Sequence, residues 1–498
     1  MYFRKICRFA KDIEVAKEGI VQAEKNKIDQ NEVEKREPFV ERVAEAPAKV
    51  LEKTVKSTEA VIEGTGKVIK KVSEQKPIQK AKDFWHILGP GLTTGAADDD
   101  PSGIATYSQT GAKYGFGLLW LAAFTFPLMA VVQEMCARIG LTTGRGLAAN
   151  IRIHFPRWVL IVCTVLLFVA NTFNLGADLG SMAEATRLLV PQIDFTWLVI
   201  GFTVLCLFLQ IFTTYKKYAK YLKWLALVLF SYVLAAVLIP NLNWHEILLA
   251  AIKPSIDFSK DQMILICGIL GTTISPYLFF WQTSQEVEEG EAVGENTIKA
   301  RQDAVTDHDI ADMRTDIWSG MFLSNAAFFF IVLACGATLN RVGITNINTA
   351  AQAAEALRPL AGDQSYLLFT IGILGVGLLG VPILAGSAAY AISEAFGWTQ
   401  GLNKKLNRAY AFYGVIIIST LIGLSLNFIG LDPIKALIYA AVANGLVAPV
   451  ILVLIVLISG SKKVMGERVN GSWTKTVGWI ATIFMVVAGL ATIYSFFP

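Results

Sequence analysis

The chain has 498 residues, 54% of them hydrophobic and only 17% charged, a balance that excludes an ordinary soluble enzyme. Charge is also unevenly spread: residues 1–83 hold 34 of the 84 Asp, Glu, Lys and Arg side chains, and the other 415 residues hold 50. That split describes a polar tail joined to a polytopic membrane domain, and a net charge of +4 gives no reason to expect a nucleic-acid partner.

From Lys11 to Gln79 the composition is Glu, Lys, Ala and Val with almost no aromatics, which cannot bury a core. The segment is expected to be disordered, or in part an amphipathic helix on lipid through Val43, Val50, Val55, Ile62 and Ile69. Gly64-Thr65-Gly66-Lys67 lacks the glycine spacing of a phosphate loop, and no such loop occurs elsewhere, so no nucleotide cofactor or ATP-driven step is expected. The N-terminus has no secretory h-region or cleavage site, and Cys7, in a basic context, is read as an unmodified thiol.

Beyond Phe84, eleven apolar runs are long enough to span a bilayer, near residues 87–112, 115–138, 158–181, 195–213, 222–240, 262–283, 317–338, 364–392, 410–430, 434–459 and 475–496. The even-numbered exits carry 18 Lys and Arg against 7 in the odd-numbered loops. The positive-inside rule then puts the N-terminus in the cytoplasm and the C-terminus outside, as expected for a multi-pass protein of the plasma (inner) membrane. Cys136, Cys163, Cys206, Cys267 and Cys335 have no paired spacing and are read as free, buried thiols.

Two spans are marked. In the first, Gly95-Ala96-Ala97-Asp98-Asp99-Asp100-Pro101-Ser102-Gly103 puts three carboxylates, a proline and glycines at lipid depth. In the sixth, Gly271-Thr272-Thr273-Ile274-Ser275-Pro276-Tyr277 puts a proline among small polar residues. Each proline removes a backbone hydrogen bond, so both helices should unwind there, which is tolerated only against protein or a wet cavity. Because the breaks are five spans apart, the second copy is inverted relative to the first. The expected fold is therefore all-α: an inverted five-plus-five repeat with broken helices 1 and 6 and a substrate site between them. The expected domains are a tail at 1–83, a ten-helix transport core at 84–460 and an eleventh helix at 461–498.

A carboxylate at mid-depth costs on the order of 3 kcal/mol to insert, so it needs a partner or a role. Asp100, beside the proline, is the candidate ligand, with carbonyls near Thr272 and Thr273 and the Ser275 hydroxyl adding oxygens from the facing break. Such a set selects a hard cation. No Met, Cys or His lies at either break, and His86, His154, His245 and His308 fall at span ends or in loops, which disfavours zinc. Asp98 and Asp99 are expected to line the aqueous approach, and Asn444, ahead of Pro449 in the tenth span, is a candidate to reach the site.

Gly89-Pro90-Gly91 through Gly103, Gly271 through Pro276 and the Asp312 to Asn325 segment resemble the Nramp family of divalent-metal transporters over roughly residues 84–460. The family's first break reads Asp-Pro-Gly-Asn, and here it is Asp100-Pro101-Ser102-Gly103. Its second reads Met-Pro-His-Asn, and here it is Ser275-Pro276-Tyr277-Leu278, with the ligating carbonyl one turn earlier falling on Thr272. The family's Asp-x-x-Glu proton pathway in the third span keeps Asp178 but has Ser181 in place of the Glu, and Asn325 fits a family Asn. The resemblance thus implies metal contacts from Asp100, Gly103, Thr272 and Ser275. Without the thioether, and with Gly103 enlarging the cavity, the site suits a partly hydrated Mg²⁺. The pattern resembles the Nramp-related magnesium transporters, which implies Mg²⁺ and Mn²⁺ transport without proton coupling.

The alternatives are a proton-coupled Mn²⁺/Fe²⁺ transporter, a sodium-coupled carrier of an organic solute, and a non-transporting membrane sensor. Gln285 through Asp316 is expected to be a solvated acidic loop, and Glu134 and Arg138 a structural ion pair. The partners expected are a divalent metal substrate and the bilayer.

Overall fold

Apolar side chains exposed along one face of a long helix need a solvent other than water. Trp158, Ile161, Val165 and Val169 form such a face on the third span, and Ile483, Val487, Leu490 and Tyr494 another on the last. The computed structural model describes residues 89–213 and 230–496. The tail with its amphipathic pattern and glycine-lysine motif, Cys7, His86 and the start of the fifth span lie outside the described residues.

The first span begins with α1, Pro90–Asp98, and resumes as α2, Pro101–Tyr114. Then follow α3, Trp120–Thr143, the short α4, Leu147–His154, α5, Arg157–Arg187, and α6, Phe195–Phe212. The described part of the fifth span is α7, Phe230–Leu238, followed by the short α8, Trp244–Ile252. The sixth span is again two helices, α9, Lys260–Thr273, and α10, Pro276–Val293. After α11, Ile298–Ala304, come α12, Asp307–Thr338, α13, Ser365–Phe396, α14, Tyr410–Leu426, α15, Pro433–Ser459, and α16, Ser472–Phe496.

Among the described residues the secondary structure is helical throughout, and eight segments are long and apolar enough to cross a membrane. The shorter α14, the broken α1–α2 pair and α7 complete the eleven spans read in the sequence. The five cysteines within the described residues are free and buried.

Both broken helices are held by glycine contacts that no side chain would permit. A Cβ on Gly95 of α1 would lie 2.2 Å from the Gly320 carbonyl oxygen of α12, and one on Gly271 of α9 would lie 2.0 Å from the Ala441 oxygen of α15. Such backbone-to-backbone packing is how helices associate where lipid offers no hydrophobic driving force. The long α5 and α13 pack along each other beside the first break, and α16 packs on α15, α9 and α3.

The expected acidic loop is not a loop. The α10 helix runs on to Val293 with Glu286 and Glu288 buried, and α12 starts at Asp307 with a capping box between Thr306 and Asp309. Its acidic groups are spent on structure: Asp316 accepts from the backbone N–H groups of Gly89, Gly91 and Leu92 at 2.8, 2.6 and 3.0 Å. This carboxylate caps the N-terminus of α1, where orphan donors and the helix dipole favour an anion. Glu134 pairs with Arg138 at 2.6 Å as expected, and also accepts from Arg314 and Trp318 of α12.

Candidate metal site

At the first break the sequence Asp-Asp-Asp-Pro ends one helix and starts another. Asp98 closes α1, Asp99 leaves helical geometry, and Asp100 turns extended (φ −65°, ψ 172°) as the N-cap of α2, with Pro101 in the first helical position. The Asp100 carboxylate is 1% exposed and is oriented from three directions. Its Oδ1 accepts from the Ser102 hydroxyl at 2.6 Å and from the Gly103 N–H at 2.9 Å, while Oδ2 accepts from Asn174 Nδ2 of α5 at 2.9 Å.

The second break is built differently. Ile274 departs from helical geometry, Ser275 is extended, and Pro276 restarts the helix. The Ser275 hydroxyl lies within its own turn, donating to the Thr272 carbonyl at 2.6 Å with the Gly271 carbonyl at 2.9 Å. Both Ser275 and the Thr272 carbonyl keep lone pairs beyond this bond.

The two breaks touch. A Cβ on Gly103 would sit 2.8 Å from the Thr272 hydroxyl, so this hydroxyl occupies the space next to Gly103. The enlarged cavity expected from having no side chain at position 103 is thus filled by Thr272. Tyr277, in the first turn of α10, donates its hydroxyl to the Ala97 carbonyl at the end of α1 at 2.9 Å, and its own carbonyl accepts from Ser387 of α13 at 2.7 Å. One aromatic residue therefore ties α1, α10 and α13 together.

Of the other residues read in the sequence, Asp178 lies near the first break: a Cβ on Gly380 of α13 would be 3.2 Å from Asp100 Cβ and 3.8 Å from Asp178 Oδ2. Asp178 is fully buried and neither carboxylate oxygen has a hydrogen-bond partner. Asp98 and Asp99 are buried rather than open to an aqueous approach; Ser324 of α12 donates to Asp98 Oδ2 at 2.6 Å and lies 3.4 Å from Asp99 Oδ1. Asn444 is buried with its amide unpartnered, one residue from Gly445, which packs against α9. Asn325 ties α12 to α3 through the Ala122 carbonyl at 2.7 Å, away from the breaks' own hydrogen bonds.

Asn174 and Ser324 are polar contacts that lie outside the break motifs, and the bond from Ser102 to Asp100 is one the motif does not announce. Asn171, Asn174, Asp178 and Ser181 recur at spacings of three, four and three, one polar face on an otherwise apolar span. Asn171 donates to the Leu384 carbonyl of α13 at 3.0 Å, which fixes the rotation of α5 and so aims Asn174 at Asp100.

Chemically, the breaks present three buried carboxylates, of which Asp98 and Asp99 are engaged by Ser324 and Asp100 faces Asn174, together with the neutral oxygens of the second break. Among the described residues no group of three or more His, Cys, Asp and Glu side chains is placed to hold a metal. A cation here would be met chiefly by neutral oxygens, the ligand class of hard ions.

The arrangement has known counterparts. The chain is 25% identical over 436 residues to a divalent metal cation transporter, MntH, of Pectobacterium carotovorum, covering 86% of this chain and 95% of that one. It is 24% identical over 413 residues to the MntH of Klebsiella pneumoniae, covering 80% and 92%. Its fold matches the crystal structure of a manganese transporter from Eremococcus coleocola at a TM-score of 0.63 with 19% identity, over 83% of this chain and 87% of that one. The Nramp sequence profile, described as natural resistance-associated macrophage protein-like, matches residues 91–495 and so takes in α16, beyond the span of the motifs. An integral, multi-pass membrane protein with two broken helices, this chain belongs to the Nramp family.

Proposed function

We propose that the protein carries divalent metal ions across a membrane by alternating access, with Mg²⁺ as its main substrate and Mn²⁺ as a second, and without coupled proton movement. The observation that carries this reading is Asp100: a buried carboxylate, held by Ser102, Gly103 and Asn174, at the meeting point of two broken helices that offer only oxygen ligands. The relatives' names, divalent metal cation transporter and manganese transporter, support metal as the substrate class. Ser275 in place of a thioether supports a hard ion, since Mg²⁺ prefers about six oxygens and sheds water reluctantly.

Ser181 and Tyr277 support proton independence: the Ser181 hydroxyl is spent on the Asp178 carbonyl at 2.8 Å, and Tyr277 is a strut between helices. The energetics allow it. Moving a dication down a membrane potential yields about 4.6 kcal/mol per 100 mV, enough for about three decades of accumulation. On this reading the N-terminus is cytoplasmic, the C-terminus is outside, the membrane is the plasma (inner) membrane, residues 84–460 are the transport core and 461–498 add the eleventh helix.

A second reading, proton-coupled manganese transport, is favoured by the relatives and by Asp178, an unpartnered buried carboxylate beside Asp100. Metal uptake into proteoliposomes tests the proposal. Saturable Mg²⁺ uptake that is lost in a folded Asp100→Ala protein supports it, and Mn²⁺ uptake with no Mg²⁺ flux or competition overturns the substrate assignment.

A further inference from the structure

Asn174 holds more than the Asp100 carboxylate. Its side chain is wholly buried, its Nδ2 donates to Asp100 Oδ2 at 2.9 Å, and its Oδ1 has no hydrogen-bond partner. A buried amide oxygen without a partner costs about 1–3 kcal/mol. The Asn171 bond to Leu384 fixes α5 against α13 independently of Asn174. The next helical turn of the same face ends in Asp178, also without a partner, and α13 approaches both carboxylates through Gly380, where no side chain intervenes. Unsatisfied oxygens thus collect around Asp100, with Asn174 Oδ1 and the Asp178 carboxylate on α5 and the Thr272 hydroxyl at the second break.

We propose that Asn174 Oδ1 is a metal ligand supplied from the third span, outside both break motifs. This rests on the divalent-metal reading above and deepens it by naming a ligand that sets the preference for hard ions. The amide can serve both states of the carboxylate. Its N–H group satisfies Asp100 in the structure described, and a half-turn about the terminal side-chain bond exchanges Nδ2 for Oδ1 in nearly the same volume, so that an oxygen faces a cation held on Asp100. The carbonyl is neutral, so it adds a hard donor without a further negative charge at mid-membrane, where charge is expensive. Mg²⁺, which demands close to six oxygens, gains most from it; Cd²⁺, whose preference is for softer ligands, gains least.

The test is calorimetric titration of Mg²⁺, Mn²⁺ and Cd²⁺ into the full chain in detergent, with uptake by the same proteins in proteoliposomes. Asn174→Leu keeps the volume and removes the oxygen. It should weaken Mg²⁺ about 10- to 100-fold, the range seen when groups around a metal centre are removed, and Cd²⁺ distinctly less. Asn174→Asp keeps an oxygen but cannot donate to Asp100. A ligand role predicts that Asn174→Asp binds Mg²⁺ more tightly than Asn174→Leu; a role limited to propping the carboxylate predicts the reverse, because two carboxylates would repel. Should the leucine variant be misfolded by gel filtration, the comparison of Asn174→Asp with Asn174→Ala carries the same contrast.

Wild-type affinities for all three metals in Asn174→Leu, or an aspartate variant weaker than the leucine one, overturn the assignment. If uptake is lost in Asp100→Ala yet kept in Asn174→Leu, transport at the breaks stands and only the Asn174 ligand fails.

Discussion

The two breaks solve one problem, an interrupted helix inside a membrane, in different ways. At the first, the carboxylate is shared between its own turn and a neighbour: Ser102 and Gly103 hold one oxygen of Asp100, Asn174 of another span holds the other, and the α1 helix leading to it is capped by Asp316 of α12. At the second, the turn satisfies itself, with Ser275 bonded to carbonyls three and four residues back. A side chain held by neighbours can respond when they move, whereas one closed on its own turn keeps its geometry. On the proposed reading, this difference would put binding and its coupling to motion at the first break, with ligand type at the second break and at Asn174 both contributing to selectivity.

The largest effect that would break this contrast is expected at Asp100. Asp100→Ala should remove saturable Mg²⁺ and Mn²⁺ uptake while the protein elutes as a folded particle, whereas Ser275→Ala, which removes one neutral oxygen and leaves the Asp100 carboxylate and the Thr272 carbonyl, should lower uptake only about fivefold, as suits a contribution of about 1 kcal/mol. Equal losses in the two would erase the distinction.

Next comes Gly103. The Thr272 hydroxyl stands where its Cβ would go, so Gly103→Asn alone should weaken Mg²⁺ binding about tenfold, and adding Thr272→Ala should recover part of it. Residues in contact typically show coupling on the order of 1 kcal/mol, and strictly additive losses would mean that the breaks do not meet there in the binding state.

Tyr277→Phe keeps the ring and deletes the hydroxyl that reaches the Ala97 carbonyl. Losing a bond worth about 1 kcal/mol between moving helices should change the maximal uptake rate about fivefold with little change in metal affinity. An affinity change without a rate change would make Tyr277 part of the binding site.

The smallest effect is expected at the self-contained turn. Ser275→Met offers a thioether and should shift the Mn²⁺ or Cd²⁺ preference over Mg²⁺ by a few-fold, more when Gly103→Asn and Thr272→Ala accompany it. A triple variant with unmoved preference, measured by calorimetry, would place selectivity elsewhere.

The architecture was legible because proline and glycine at lipid depth interrupt a helix whatever packs around them, and the eleven apolar runs needed only length and hydropathy. The C-terminal end of α10 and the N-terminal end of α12 were not, since their charged residues look like a loop until tertiary partners appear: Arg301 donates to the Gly144 carbonyl at 3.2 and 3.1 Å, and Asp316 takes up the α1 amides. Asn174 shows a different gap. Its polar face on α5 can be read from spacing alone, but that this face turns toward Asp100 depends on the Asn171 bond to α13, a contact 213 residues away in the chain. Asp98 and Asp99 make the same point, for their approach to Ser324 of α12 is set by glycine packing between α1 and α12.

Simultaneous recording of metal entry and luminal pH in proteoliposomes, with the membrane potential clamped inside-negative, tests the proposed mechanism most directly. Mg²⁺ should enter the wild-type vesicles saturably with no metal-dependent change in luminal pH, and Asp100→Ala vesicles should show no entry. Luminal acidification that accompanies Mg²⁺ or Mn²⁺ uptake and disappears in Asp100→Ala would contradict uncoupled transport and give Asp178 the role of proton carrier.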